Sequence, residues 1–204
     1  MIHRYRSDYP NQVHILNLSI SKHLYIAKND EIKYQKKGFD INLNNFRKSN
    51  REHVIHYLIK DHYSGAYYGE IYSANNEIHI KDFLCRAWFK KDEYEFMGIP
   101  ELLVVPKIIY DKFPDIKKLF IKTNIKDIKA TSGFQAGASA VREWERNISI
   151  YSYLRGLRTI QEIQNNIQMF NKLFNESKIV KWKKNVNQDR VFDSKDIFFK
   201  IFDS

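Results

Sequence analysis

Alternating apolar and polar residues near the start of the chain predict a β-strand. In QVHILNLSI (residues 12–20), apolar side chains at every second position share one face of such a strand. The other face begins apolar at Val13 and Ile15 and becomes polar at Asn17 and Ser19. The shared apolar face consists of Leu16, Leu18 and Ile20.

Further extended structure is predicted over residues 21–34 and 51–74. SKHLYIAKNDEIKY (21–34) predicts a second strand, broken by a polar turn at Asn29–Asp30. REHVIHYLIKDHY (51–63) and YYGEIYSA (67–74) are rich in β-branched and aromatic residues and flank the turn sequence SGA. These two segments predict a β-hairpin.

After residue 75 the apolar spacing changes from two residues to three and four. The segment 76–96 predicts a helix that ends before Gly98 and Pro100. ELLVV (101–105) is a short apolar run, typical of a buried central strand. The apolar positions of the helix are Ile80, Phe83, Leu84, Ala87 and Trp88.

The remaining elements continue the alternation of helix and strand. Pro114 fits the first turn of a helix, a strand near 127–130 follows, and TSGFQAGASA (131–140) predicts a loop. A long amphipathic helix then contains Val141, Trp144, Ile148 and Tyr151, and residues 159–175 predict another helix. The order predicts a mixed α/β sheet flanked by helices, in a core domain 1–155 followed by a helical, basic-aromatic extension 156–204.

Composition narrows the class of protein. Hydrophobic residues make up 43% of the 204 residues, which suffices for a packed core. The single Cys85 excludes an internal disulfide. The chain has no apolar run of the roughly 18 residues needed to cross a bilayer, and MIHRYRSDYPNQ lacks a secretory apolar region. We therefore expect a cytoplasmic protein without a membrane partner.

The charge balance suggests a polyanionic partner. Lys and Arg number 34 against 24 Asp and Glu, which gives a formal net charge of +10. Basic side chains that neutralise phosphates release condensed counterions, so nucleic acid is one candidate partner. A solvated basic surface without any acidic partner is the alternative.

Four segments, in order, resemble the catalytic core of DDE transposases and retroviral-type integrases. They are RSDYPNQVHILNLS, HVIHYLIKDHYSGAYYGEI, GIPELLVVPKII and TNIKDIKATSGFQAGASAVREWERNI. The resemblance covers about residues 6–155. It implies an RNase H-like fold with a mixed five-stranded sheet and helices on both faces.

The resemblance also implies where a catalytic site would lie. In this family three carboxylates hold two divalent metals about 3.5–4 Å apart. The matching positions here are Asn17, Pro106 and Glu143. Asn offers only a neutral oxygen and Pro has no side-chain ligand, so the resemblance implies a degenerate site. We expect no cofactor, with Mg²⁺ or Mn²⁺ as the alternative.

Helical phase decides between Glu143 and its neighbour Glu145. At about 100° per residue, Glu145 projects closer to the apolar stripe of the long helix, whereas Glu143 points away from it, near Arg146 and Asn147. A carboxylate of an active site must face a groove, so Glu143 is the better match. A solvated helix face is the alternative.

Several other residues have a structural and a functional interpretation. Asp61 and His62 match a family position that shapes a strand end, and Asp40 is an alternative match for the first family aspartate. His53 and His56 lie three apart on a predicted strand, hence on opposite faces, which argues against a shared metal. Cys85 lies on the apolar helix and is expected to be a small core residue.

Basic residues near the long helix and the tail are the candidate nucleic-acid contacts. KIVKWKK places lysines around Trp182, a composition that suits phosphate contact with aromatic stacking. A solvated face with one docked Trp is the alternative. The full set is Arg142, Arg146, Lys178, Lys181, Trp182, Lys183 and Lys184.

These patterns lead to one expected function and two alternatives. We expect an integrase- or transposase-like nucleic-acid-binding domain, catalytically inactive, derived from a mobile element, with DNA as the partner. The alternatives are a metal-dependent nuclease or strand-transferase that uses Asp40, Asp61 and Glu143, and a protein-interaction scaffold. The sequence leaves a homodimer open.

Overall fold

A computed structural model describes residues 6–92, 94–130, 136–186 and 188–193. Within these ranges the chain forms six strands and six α-helices. The strands are β1 Val13–Ile26, β2 Ile32–Tyr34, β3 Glu52–Asp61, β4 Tyr67–Ser73, β5 Leu102–Pro106 and β6 Lys126–Ala130. The helices are α1 Ile80–Trp88, α2 Lys107–Lys112, α3 Ile116–Lys122, α4 Ala136–Leu154, α5 Ile160–Asn165 and α6 Ile167–Lys184.

The described strands form one mixed sheet in the order β4-β3-β1-β5-β6, with β2 beside β1. Strands β2 and β3 run antiparallel to β1, and β4 runs antiparallel to β3. Strands β5 and β6 continue the sheet in parallel. The α/β class is confirmed, and the short β2 adds a sixth strand to the five that the resemblance implies.

The first strand is longer than the sequence pattern predicts. One strand of 14 residues replaces the two predicted strands, with a register shift between Ile20 and Tyr25. At this bulge the Ser21 hydroxyl accepts the backbone N–H groups of His23 and Leu24, at 3.1 and 2.7 Å. The polar residues therefore bend the strand without ending it, because the donors that the bulge leaves unpaired find a partner.

The two faces of the sheet carry separate apolar cores, as the alternation predicts. Leu16, Leu18 and Ile20 pack in a cluster with the buried residues of α1 and α3. On the opposite face, α4 buries Trp144 and Ile148 against β3 and β4. The predicted hairpin 51–74 is present as β3 and β4.

Helix α1 ends at Trp88, about two turns earlier than predicted. The Lys91 ammonium group donates to the carbonyl oxygens of Ala87, Phe89 and Phe96, at 2.7, 3.0 and 2.6 Å. These bonds fold the following segment back over the helix end. Tyr94 is buried in the same core, which explains the apolar spacing that continues past the helix.

The helical regions after residue 106 also differ in detail from the sequence pattern. Helix α2 follows β5 directly, and the apolar spacing does not predict it. Helix α4 begins at Ala136, inside the predicted loop, of which 131–135 lie outside the described residues. The helix predicted over 159–175 is two helices, α5 and α6, which meet at Asn166. Helix α6 continues through KIVKWKK, and Trp182 joins the core of the sheet.

Side-chain amides from α5 and α6 cover the outer edge of β4. The Asn171 amide accepts the N–H of Gly69 at 2.7 Å and donates to its carbonyl at 2.8 Å. Asn175 makes the same pair of bonds with Tyr67, and Gln164 donates to the Ile71 carbonyl at 2.9 Å. We call Gln164, Asn171 and Asn175 the amide clamp. It occupies the backbone groups that an edge strand otherwise leaves unpaired.

Candidate nucleic-acid interface

The structure places Asn17 and Pro106 on neighbouring strands of the sheet. Strands β1 and β5 are parallel, with Ile15 opposite Val104. Asn17 and Pro106 each lie two residues beyond this last paired position, on neighbouring strands. Pro106 ends β5 and immediately precedes α2.

The helix position that faces Asn17 is Gly137, in the first turn of α4. A Cβ atom added to Gly137 would lie 1.7 Å from the Asn17 amide nitrogen. The Asn17 side chain therefore occupies the space where a longer residue of α4 would stand. No carboxylate of α4 can approach Asn17 from this position.

Glu143 lies six residues beyond Gly137, which is about 9 Å along the helix axis. The Lys178 ammonium group donates to its carboxylate, and the Tyr67 hydroxyl lies 3.5 Å from it. Glu143 therefore faces β4 and α6. Of the three family-derived positions, Asn17 and Pro106 lie on neighbouring strands, and Glu143 is turned toward Lys178.

Glu145 is the more buried of the two glutamates, as the helical phase predicts. Its side chain is 13% exposed, against 35% for Glu143. One carboxylate oxygen accepts the Ser21 hydroxyl, and the other lies 4.0 Å from Nε2 of His56. Glu145 thus stabilises the bulge of β1.

Four basic residues of β3, α4 and α6 lie on the elements around the tip of the β3–β4 hairpin, and we call Lys60, Arg146, Lys178 and Lys181 the tip cluster. Lys178 pairs with Glu143, and the charge of Glu143 also acts on Lys60. Lys178 lies 4.5 Å from the Tyr67 ring centroid. Lys181 donates to the Tyr63 carbonyl at 2.8 Å and lies 4.4 Å from the centroid of its ring. With one carboxylate for four cations, the tip cluster and Glu143 together carry a formal charge of +3.

The pKa values of groups in and next to the tip cluster respond to these charges. Burial and the charge of Lys178 lower the pKa of Lys60, opposed by Glu143 and Asp61. Burial and Glu143 raise the pKa of Tyr67, whereas Arg146 acts in the opposite direction. A bound anion would relieve the repulsion between Lys60 and Lys178.

The remaining predicted contacts differ in their availability. Arg142 and Arg146 are exposed one turn apart on α4, and Lys184 is exposed at the end of α6. Lys183 forms an ion pair with Glu95. Trp182 is only 2% exposed and packs in the core. Its assignment as a stacking residue is therefore corrected, because a buried ring cannot offer a face to a base.

Asp61 and the neighbouring candidates have structural partners. The buried Asp61 carboxylate accepts the N–H of Asn11 at 2.9 Å and both the N–H and the hydroxyl of Ser64, at 2.7 and 2.6 Å. The His62 ring lies 2.6 Å from the Ser7 hydroxyl. Burial raises the pKa of the half-buried Cys85 thiol. The contacts of Asp61 and His62 shape the start of β1 and the end of β3.

His53 and His56 point to opposite faces of β3, as predicted. The His53 ring packs against Phe39 with centroids 5.0 Å apart, whereas His56 faces Glu145 on α4.

Asp40 is exposed in the loop after β2. Across the described ranges, no three His, Cys, Asp or Glu side chains are grouped so that they could hold one metal ion, and this includes the set Asp40, Asp61 and Glu143.

Sequence reasoning missed Lys60, Tyr63, Tyr67 and Gly137. Lys60 lies two and four residues after Leu58 and His56, so the strand period places it on the α4 face. That signal was available in the sequence. The approach of Lys178 and Lys181 to the hairpin was not, because it depends on how α6 packs.

Comparisons with known proteins do not identify a function, so the function is inferred from the residues described above. No protein-family model matches the chain, and no curated protein matches it. Of the helices that the structure describes, none combines the length and the apolar character needed to cross a membrane.

Proposed function

We propose that the chain is an integrase-like nucleic-acid-binding domain, catalytically inactive and derived from a mobile element. The observation that carries the proposal is the charge at the tip cluster. Where the family resemblance implies a carboxylate trio, the chain has Asn17, Pro106 and a Glu143 that Lys178 neutralises. Such a surface attracts phosphates and repels divalent cations.

The architecture supports the proposed RNase H-like relationship. A mixed sheet with helices on both faces is what the resemblance implies, and its strands occur in the expected order along the chain.

The unpaired thiol of Cys85 is compatible with the proposed cytoplasmic location.

The missing carboxylates argue against two-metal catalysis. A two-metal clamp needs several anionic oxygens, because each divalent cation must be neutralised and fixed. Asn17 offers a neutral oxygen and Pro106 none. Lys60 and Lys178 lie close enough to Glu143 to compete with any cation for its charge.

Exposed arginine and lysine side chains supply the contacts to nucleic acid. Arg142 and Arg146 share one face of α4, because residues four apart in a helix are neighbours. Lys181 extends this surface from α6 to the hairpin tip. Contacts of this kind position a nucleic acid by its backbone without reading the bases.

The test is a salt titration of duplex binding by fluorescence anisotropy, with a random DNA duplex as the probe. We expect the double variant Arg146→Gln/Lys181→Gln to reduce the log–log salt slope by about 0.9 for every phosphate that it no longer neutralises. The matched control is Lys117→Gln/Lys118→Gln, which removes the same charge from the exposed side of α3.

Three outcomes contradict the proposal in whole or in part. One is the absence of duplex binding at about 50 mM salt, where non-specific electrostatic association is strong. Another is Mn²⁺-dependent cleavage of the duplex that Glu143→Ala abolishes. An equal effect of both double variants would support general attraction by the net charge and remove the tip cluster from the interface.

A further inference from the structure

A second candidate site is a cleft between the β1–β2 hairpin and the C-terminal half of α4. Its volume is about 410 Å³, within the range of small-molecule sites. The cleft shares no residue with the tip cluster. Its apolar lining consists of Leu24, Ile32, Ile148, Leu157 and Ile163.

One hydroxyl in the lining of the cleft has an unmet hydrogen bond. Ser152 is 5% exposed, and its Oγ finds no hydrogen-bond partner among the described residues. The neighbouring Ser149 differs, because its hydroxyl donates to the Glu145 carbonyl at 2.8 Å. The Oγ atom is itself closed off from solvent, so a ligand in the cleft bonds to it only when the Ser152 side chain turns toward the cleft. A buried hydroxyl without a partner is costly, and this cost favours that turn when a ligand offers a polar group.

Two exposed aromatic rings border the same cleft. Tyr34 is 62% exposed and Tyr153 is 85% exposed. The Tyr34 ring stacks on His23, with centroids 5.6 Å apart and planes 21° apart, so one ring face is fixed and the other is open. Exposed rings of this kind suit a flat, aromatic ligand.

Two cations at the rim share one carboxylate. Lys33 and Arg158 both pair with Glu31, Arg158 at 3.6 Å. The three rim groups therefore carry a formal charge of +1. The Arg158 side chain is 75% exposed, and a guanidinium group with five donors can bind a phosphate while it keeps its contact with Glu31.

We infer that this cleft binds a nucleotide, with the base against the apolar lining and the phosphate at Lys33 and Arg158. The inference rests on the proposed function and extends it, because a base must be unpaired to enter the cleft. A single-stranded segment would thus be held here, while the tip cluster contacts phosphates. Stacking of bases on aromatic rings tolerates any sequence.

The test is a titration of the ¹⁵N-labelled full chain followed by NMR, with three probes: AMP, adenosine and ribose 5-phosphate. We expect AMP to shift the amide signals of Ser152 and Gly156, both of which line the cleft. Adenosine should bind more weakly because it lacks the phosphate. Ribose 5-phosphate should not saturate the site because it lacks the base.

Variants assign the contacts. We expect Ser152→Ala to weaken AMP binding about three- to tenfold, the effect of one hydrogen bond, without lowering the thermal midpoint. A purely structural hydroxyl would leave AMP binding unchanged. Arg158→Gln should weaken AMP binding and leave adenosine binding unchanged. The matched control is Arg155→Gln, an exposed arginine outside the cleft.

Several outcomes would overturn the inference. They are the absence of any AMP-dependent shift, saturation by ribose 5-phosphate as tight as by AMP, and stronger binding of decanoate, which would make the cleft an acyl site. Duplex anisotropy separates the two proposals. If the duplex binds and AMP does not, the cleft inference fails alone; if AMP binds and the duplex does not, the proposed function fails alone.

Discussion

Histidines with equal burial have different hydrogen-bond environments in this protein. The His14 ring receives the indole N–H of Trp88 at 3.3 Å and bonds to the Asn11 amide oxygen at 2.9 Å. Burial lowers the pKa of His14 to about 3. His56 is equally buried, but neither of its ring nitrogens has a hydrogen-bond partner within the described ranges. His14 therefore stabilises the fold as a neutral ring, whereas His56 destabilises it.

Replacing His56 by a residue of similar volume should stabilise the protein. We expect His56→Leu to raise the free energy of unfolding at pH 7.5 by about 1–2 kcal/mol, because it removes a buried polar ring without partners. The measurement is urea unfolding. The control His14→Leu should lower the free energy of unfolding, because it leaves Trp88 and Asn11 unpaired. A less stable His56→Leu variant would show that the ring has a partner in solution.

The same variant should respond less to acid. Burial lowers the pKa of His56 in the folded state below the value near 6.5 of an unfolded chain. The unfolded state therefore binds more protons as the pH falls below about 6.5, and stability is lost in that range. We expect the loss of stability between pH 7.5 and pH 5, measured by urea unfolding, to be smaller in His56→Leu than in the wild type.

The elements themselves show what the sequence could and could not predict. The hairpin, β5 and the faces of β1 and α4 follow from apolar spacing, which local burial imposes. The single strand β1 and the early end of α1 do not, because Ser21 and Lys91 act through contacts with backbone groups that only the fold brings near. Spacing records burial and carries no information about such partners.

The sequence likewise predicted one part of the candidate site and could not predict another. The order of the sequence blocks predicted that Asn17 and Pro106 lie on two strands of one sheet, and these strands are neighbours. Helical phase gave the direction of Glu143 away from its own core stripe. It could not show that Lys178, 35 residues later, would occupy that direction.

The amide clamp of α5 and α6 makes an element-scale prediction. We expect Asn171→Ala to lower the free energy of unfolding by about 2–4 kcal/mol, because it leaves the buried N–H and carbonyl of Gly69 without partners. The measurement is urea unfolding followed by circular dichroism. Asn165→Ala is the matched control, since Asn165 is exposed and should change stability by no more than about 0.5 kcal/mol. Equal losses in both variants would contradict a special role for the clamp.

At the scale of the whole molecule, α6 packs as part of the core of the sheet. Phe170 and Phe174 pack with Trp144, and Ile179 and Trp182 join the cluster on the other face. The predicted boundary between 155 and 156 therefore separates residues that share a core.

A chain cut after residue 155 should not fold cooperatively. It lacks the amide clamp and the buried side chains of α6, so the edge of β4 and the Trp144 ring become exposed. We expect a broad thermal transition and loss of near-ultraviolet circular dichroism, compared with a sharp transition in the full chain. A cooperative transition of the fragment would show that 1–155 is a domain by itself.

The amide clamp also has a consequence for synthesis of the protein. Asn175 follows Tyr67, the strand residue that it covers, by 108 positions. At ~5–20 residues per second, a ribosome needs roughly 5–20 s to make the intervening chain. Throughout that interval the nascent hairpin has an open edge, to which the hairpin of a neighbouring nascent chain can pair. Protection from such pairing on polysomes must come from slow encounter or from chaperones, because the amide clamp is translated 93 to 108 positions after the strand residues that it covers.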